Sequence, residues 1–303
     1  MDLVKQFPGG YHFCILSNDD KIGVFIKTSK VVIFDMENYC MNDVLDIKYC
    51  GYASFSSDGK ILVLKTTTSK LYIYNLITRE IVFSKKMGKN DGYNIIFLGN
   101  KVLTGDWDNN NFLVDLYTFE YKKFSIEGLG MCNFMANYSD KVIVCHKPRL
   151  TKNSIMVTLD DIASLWQNAD VNDEEQRISF MDNEFKLTEY TFKNDNYMPT
   201  RFAFKNNNLY IADANRLNRI DIAKGEINSF YWEAFIISMQ ISNLGYVFLG
   251  SGFAGVLLND KFEKIHDFHN VSQNAYSYIG ATFFENEPKI LISSNSKISI
   301  YKF

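Results

Sequence analysis

The chain has 303 residues, 47% of them hydrophobic and 22% charged, with a net charge of −3 and a pI of about 5.9. This composition excludes a disordered or fibrous chain, and the absence of any Lys/Arg block excludes a basic nucleic-acid footprint. Aromatic residues reach 15%, with 25 Phe and 18 Tyr against 4 Pro, a bias that favours strands.

The N-terminal stretch "MDLVKQFPGGYHFCILS" has no basic region followed by an apolar run, so it does not read as a secretory signal. No apolar stretch approaches the roughly 20 residues that cross a bilayer, and no membrane association is expected. Leu3–Phe7 reads as a strand preceding a second one in "YHFCILS". Cys14, Cys40, Cys50, Cys132 and Cys145 are odd in number and irregularly spaced, with no CxxC. They read as reduced thiols of a cytoplasmic protein, most of them small core residues.

From Val31 onward a repeat sets in. The segments "VVIFDMEN", "LYIYNLITRE", "FLVDLYTFE", "IMVTLDD", "LNRIDIAKGE" and "GVLLNDKFE" each run from apolar residues into an Asp or Asn. The marker positions Asp35, Asn75, Asp115, Asp160, Asp221 and Asn259 are separated by 40, 40, 45, 61 and 38 residues. A seventh segment, "KISIYKF", ends the sequence. The stretch from Ala53 to Phe83 shows the internal grammar: four apolar strands separated by "SSDGK", "TTTSK" and "NLITRE". Asp-Gly supplies the positive φ of a tight hairpin. Four strands per unit of about 40–45 residues define a propeller blade.

The third unit contains "LTGDWDNNNFLVDLYTFE". Asp106, Asp108 and Asn110 alternate as calcium ligands do, but Asn111 stands where a calcium loop needs Gly and Tyr117 where it needs a bidentate Glu. Aligned on its neighbours, the cluster falls on the turn between the second and third strands, where Asn and Asp tolerate the left-handed conformation. A hairpin is therefore expected, with no metal and no cofactor.

The 61-residue interval implies an insertion at about 160–181 in the fourth blade. Within it, Ile162, Leu165, Trp166 and Ala169 have helical spacing, and Asp160 and Asp161 suit a helix start. Such a stripe either packs on its own blade or docks a partner, with Trp166 as anchor and Asp173, Glu174 and Glu175 as rim.

Over essentially its full length the chain resembles the WD40-like and quinoprotein-like β-propellers. "NLITRE", "DLYTFE" and "DIAKGE" look like the D-x-x-T-G-x turn of those blades, followed by aromatics at Phe83, Phe124 and Phe230. "FSSDGK" looks like the first turn of many WD40 repeats. The Trp-Asp and Gly-His dipeptides of WD40 repeats are missing, and Trp107-Asp108 lies in a turn. The resemblance implies a propeller, carries over no catalytic residue and selects no family.

The expected fold is all-β: a single domain over residues 1–303, a seven-bladed β-propeller of four-stranded antiparallel blades with one short helical insertion. "KISIYKF" supplies the third strand of the last blade, and Leu3–Phe7 is expected to supply its fourth, removing an exposed edge.

Turns between second and third strands should share a face with the connections between blades. That face would carry Trp107, Arg149, Arg216 and Phe253 from turns, and Tyr93, Tyr197, Trp232, His266 and His269 from connections. Trp, Tyr and Arg are enriched at binding hot spots. His266-x-x-His269 lacks a third ligand, and Cys145 and His146 point to opposite faces of one strand. No nucleophile elbow, Walker loop or dinucleotide fingerprint occurs.

The sequence reads as a non-catalytic platform, monomeric on its own, that binds another protein, as an assembly or immunity-type factor would. The competing expectation is a hydrolytic or ligand-binding propeller using calcium or a channel-bound ligand, with Asp106, Asp213 and His146 near its ends.

Overall fold

Short β-branched and aromatic runs, punctuated by Asp, Asn, Ser and Gly, fold into antiparallel hairpins. The computed structural model describes residues 1–147, 176–194, 199–252, 254–269, 280–293 and 297–303; these contain strands and turns and no helix. The predicted helix with Trp166 lies outside them.

The first strand, β1 (Asp2–Pro8), stands apart from the blade that follows it. Blade one is β2 (Phe13–Leu16), β3 (Ile22–Ile26), β4 (Val31–Asp35) and β5 (Cys40–Leu45). Blade two is β6 (Cys50–Phe55), β7 (Ile61–Thr66), β8 (Lys70–Asn75) and β9 (Glu80–Lys86). Blade three is β10 (Ile96–Leu98), β11 (Lys101–Gly105), β12 (Asn111–Asp115) and β13 (Tyr121–Phe124). Blade four is β14 (Met131–Tyr138), β15 (Lys141–Lys147), β16 (Gln176–Met181) and β17 (Leu187–Asn194). Blade five is β18 (Pro199–Lys205), β19 (Asn208–Asp213), β20 (Arg216–Asp221) and β21 (Ile227–Tyr231). Blade six is β22 (Ser238–Ile241), β23 (Val247–Gly250), β24 (Ala254–Leu258) and β25 (Lys264–His269). Blade seven is β26 (Gly280–Phe283), β27 (Lys289–Ser293) and β28 (Lys297–Lys302), with β1 as its fourth strand. All pairs are antiparallel, and Leu3 faces Tyr301 while Phe7 faces Ile298. The fold is a seven-bladed β-propeller whose last blade is completed by the N-terminal strand, as the repeat predicts.

The Asp or Asn at the end of the third strand in blades one to six is a turn-forming acceptor. Asp35 Oδ1 accepts the amides of Glu37 and Asn38, both at 2.8 Å. Asn75, Asp115, Asp221 and Asn259 do the same for the amides that follow them. In blade four the acceptor is Asp182, bound to Glu184 N and Lys186 N at 2.9 Å. This corrects the alignment on Asp160. The third strand of blade four is β16 rather than "IMVTLDD", so residues 176–181 belong to the sheet, and the added chain lies between the blade's second and third strands.

Each of these turns also needs a left-handed residue, supplied by Tyr39, Arg79, Phe119, Phe185, Gly225 and Phe262. A non-glycine residue there costs on the order of 1 kcal/mol. For Phe185 and Phe262 packing offsets that cost. Their rings lie 4.6 Å from Phe124 and 6.1 Å from Phe230, two of the aromatics singled out by the repeat.

The chain divides into two compact units, Met87–Tyr197 (blades three and four) and Met1–Lys86 with Met198–Phe303 (the other five). In the five-blade unit the first strands of blades five, six, seven and one lie beside one another in that order. The core is a series of apolar layers between neighbouring blades. Val24, Ile33, Leu62 and Leu64 join blades one and two, and Leu217, Met239, Val247 and Val256 join five and six. Phe7 of β1 stacks on Phe34 of blade one at 5.1 Å, so the strand that completes blade seven also packs on its neighbour. In the two-blade unit, Leu103, Met135, Val144 and Met181 form the equivalent layer. Cys14, Cys132 and Cys145 are buried, and burial pushes the Cys14 thiol up to about 12.

Candidate binding face

In the two-blade unit, Trp107 N donates to Asp91 O at 2.9 Å and Ile126 N to Asn109 Oδ1 at 3.0 Å. Both bonds tie the turn between β11 and β12 to the connections on either side of its blade. In the five-blade unit, Tyr49 N donates to Thr28 O, Thr67 N to Tyr49 O, and Ile236 N to Ala214 O. Within each unit, therefore, second-to-third-strand turns and interblade connections share one edge, pinned by backbone hydrogen bonds. A surface made this way presents its side chains with little backbone entropy left to lose.

The Asp/Asn cluster of blade three is built as a turn. Gly105 faces Asn111 across the hairpin, and Asn109 takes the left-handed conformation. Asp106 is buried, and its carboxylate accepts the amides of Asp108, Asn110 and Lys89 and the side-chain amide of Asn110. Its oxygens are turned to N–H groups, and Asn110 offers it nitrogen. That is turn chemistry. Among the described residues, no group of three or more His, Cys, Asp or Glu side chains could hold a metal ion. Beneath the turn, Asn111 Oδ1 accepts from Tyr93 Oη at 2.7 Å, Asn111 Nδ2 reaches Asn109 Oδ1, and Asn109 Nδ2 donates to Ile126 O.

This scaffold leaves Trp107 41% exposed at the tip of the turn. Asn109 of the same turn, residues 125–129 and Arg177 line a cleft of about 530 Å³. In the five-blade unit the edge of turns and connections exposes Tyr49, at 59%, and Phe235, at 57%. Neither stands out in sequence, because an aromatic on a connection says nothing by itself about burial. The left-handed φ of Tyr49, which aims its side chain outward, has no sequence marker. Arg216 is half-buried opposite Asp213, whose carboxyl is raised by burial and pulled back by the Arg216 charge.

Two predicted face residues are core residues instead. Tyr93 is fully buried, and Trp232 is 6% exposed within the layer between blades five and six. The connections fold back over their blades and carry these rings inward, so neither presents itself to a partner. His266 and His269 also leave the face: both belong to the outer strand β25, and the His266 ring packs edge-on against Phe268 at 4.7 Å. Arg149, Tyr197, Phe253 and Trp166 lie outside the described residues.

His146 is buried, with Nδ1 accepting from Gly130 N and Nε2 at 3.0 Å from Ser179 Oγ. The Gly130 bond places the proton on Nε2, so the imidazole donates to the serine, opposite to the direction a general base requires. The neighbouring Cys145 thiol is pushed well above its ordinary range by burial.

No protein-family model matches the sequence, and no curated protein sequence matches it. Among solved structures, the chain is similar to the β-propeller domain of Cps50 (Swd1) from Myceliophteria thermophila. The identity is 10% and the TM-score 0.76, over 100% of this chain and 99% of that one. Among the described residues no helix is long and apolar enough to cross a membrane. At this identity the likeness speaks for fold alone: like that domain, the chain has a β-propeller fold, here of seven blades.

Proposed function

We propose that this protein is a non-catalytic platform that binds another protein through the edge carrying its second-to-third-strand turns. The observation that carries the reading is the exposure of Trp107 at the tip of a turn locked by Asp106, Asn109, Asn111 and Asp91. A large aromatic held rigid and half out of its surface is the ordinary composition of a binding hot spot. Tyr49 and Phe235 offer the same chemistry in the five-blade unit, and the WD40-like fold commonly serves as an interaction scaffold. The partner is expected as a component of a larger assembly or as a protein held in check by this one.

The test is affinity capture of the partner from the native host, followed by titration against two separate variants, Trp107→Ala and Tyr49→Ala/Phe235→Ala. The reading predicts that at least one weakens binding by roughly tenfold or more with an unchanged melting temperature. Wild-type affinity in both variants would overturn it.

A further inference from the structure

Each blade ends in an outer strand with one unpaired side, and such edges invite pairing with other chains unless they are guarded. Six of the seven are guarded in recognisable ways. β1 carries Asp2, Lys5, a terminal Pro8 and a bulge. β5 has Asp43 and a bulge, β9 has Glu80, Lys85, Lys86 and a bulge, and β25 has Lys264, Asp267 and a bulge. β17 has a bulge, and β13 has Lys122 and Lys123. β21 has none of these devices. Its sequence, Ile-Asn-Ser-Phe-Tyr, has no charge and no proline, and its register against β20 runs without a shift. Ile227 is 48% exposed and Tyr231 65% exposed on this bare edge.

We propose that β21 is a self-association edge, paired in solution with β21 of a second copy of this chain. The occupant follows from the strand itself. An antiparallel pair centred on Ser229 places Ile227 opposite Tyr231 of the other copy, and Tyr231 opposite Ile227. β-Branched and aromatic residues form favourable cross-strand pairs. Asn228 then meets Phe230, and Ser229 meets its own counterpart. No like charges face each other, whereas the same operation on β13 would set lysines against lysines. Phe230 stays in the layer between blades five and six, so pairing requires no rearrangement of the blade. The two copies would join blades five into one eight-stranded sheet about a twofold axis, a closed arrangement that stops at two. Five paired residues bury less than the roughly 1,200 Å² of a stable interface, so the dimer is weak and concentration-dependent. It departs from the monomer expected from sequence. The inference stands apart from the platform reading, which uses the turn edge.

The test is sedimentation velocity from micromolar to near-millimolar concentration. The expected result is a mass that rises towards two chains. Asn228→Lys or Ile227→Lys, each checked for an unchanged melting temperature, should raise the dissociation constant at least tenfold. In a Cys40→Ser background, Ser229→Cys should form a disulfide-linked dimer on mild oxidation, since directly opposed strand residues lie within disulfide range. A control, Thr78→Cys, should not. A mass of one chain throughout overturns the inference. So does a dimer that both lysine variants leave intact and that Ser229→Cys does not trap.

Discussion

Tyr93 donates its phenolic hydroxyl to Asn111 Oδ1 across 2.7 Å, and neither side chain reaches solvent. The bond joins the connection entering blade three to the turn that presents Trp107. Burial pushes the Tyr93 phenol well above its ordinary range, so it remains a donor throughout the accessible pH range. Tyr93→Phe leaves a buried amide oxygen without that donor, and should cost about 1–3 kcal/mol of folding stability by denaturant titration. A loss below a few tenths would mean that the network does not stiffen the turn.

Two left-handed positions should respond in opposite ways to glycine. Arg79, at φ 59°, is exposed, and Arg79→Gly should stabilise by roughly 0.5–1 kcal/mol through relief of the backbone. Asp20, at φ 60°, has the same geometry, but its carboxylate accepts Glu285 N at 2.8 Å, Asn286 N at 3.0 Å and Asn286 Nδ2 at 3.0 Å, tying blade one to blade seven. Asp20→Gly should destabilise despite the relief. Thermal melts of the two variants moving in the same direction would refute this.

Acid should weaken the fold through its turn carboxylates. Asp19 and Asp58 are lowered by the Ser17 and Ser56 hydroxyls, Asp35 by the Asn38 amide and Asp115 by the Thr118 amide. A depressed folded pKa contributes stability above the unfolded value, about 3.9, that is lost as pH falls through the folded value. Asp213, raised by burial, has the opposite sign: its contribution is present at low pH and lost as pH rises. Asp35→Asn/Asp115→Asn should keep neutral-pH stability, because Asn75 and Asn259 already make this turn with an amide. It should also lose less stability below about pH 4. An acid limb superimposable on the wild type would contradict the assignment.

The N-terminal strand should be indispensable. Phe7→Ala removes a ring stacked on Phe34 and facing Phe25, and should cost roughly 2 kcal/mol for a half-buried aromatic. Removing residues 1–8 also exposes the edge of β28 and should cause concentration-dependent aggregation. A truncated protein that stays dispersed and melts at the wild-type temperature would argue against this role.

The repeat was legible because one polar residue in each of blades one to six performs one backbone task. An Asp or Asn ending the third strand must accept the next amides, so its spacing follows the blade. The alignment failed only at blade four, where Asp160 imitates the marker and Asp182 lies beyond the added chain. The site was less legible. Trp107 could be placed on a turn, but Tyr93 and Trp232 look equally available in sequence, and only the path of each connection decides which ring is buried. Gly92, beside Tyr93, is a partial signal: it lies against Gly105 with no room for a Cβ. The bare edge of β21 is visible in sequence as a missing charge, but it becomes meaningful only once the strand is known to be outermost.

The most direct test of the platform reading is native mass spectrometry of this chain purified gently from its own host. The expected spectrum shows a complex containing a second, different protein in stoichiometric amount. A spectrum holding only this chain, bare or carrying a small bound mass, would contradict it.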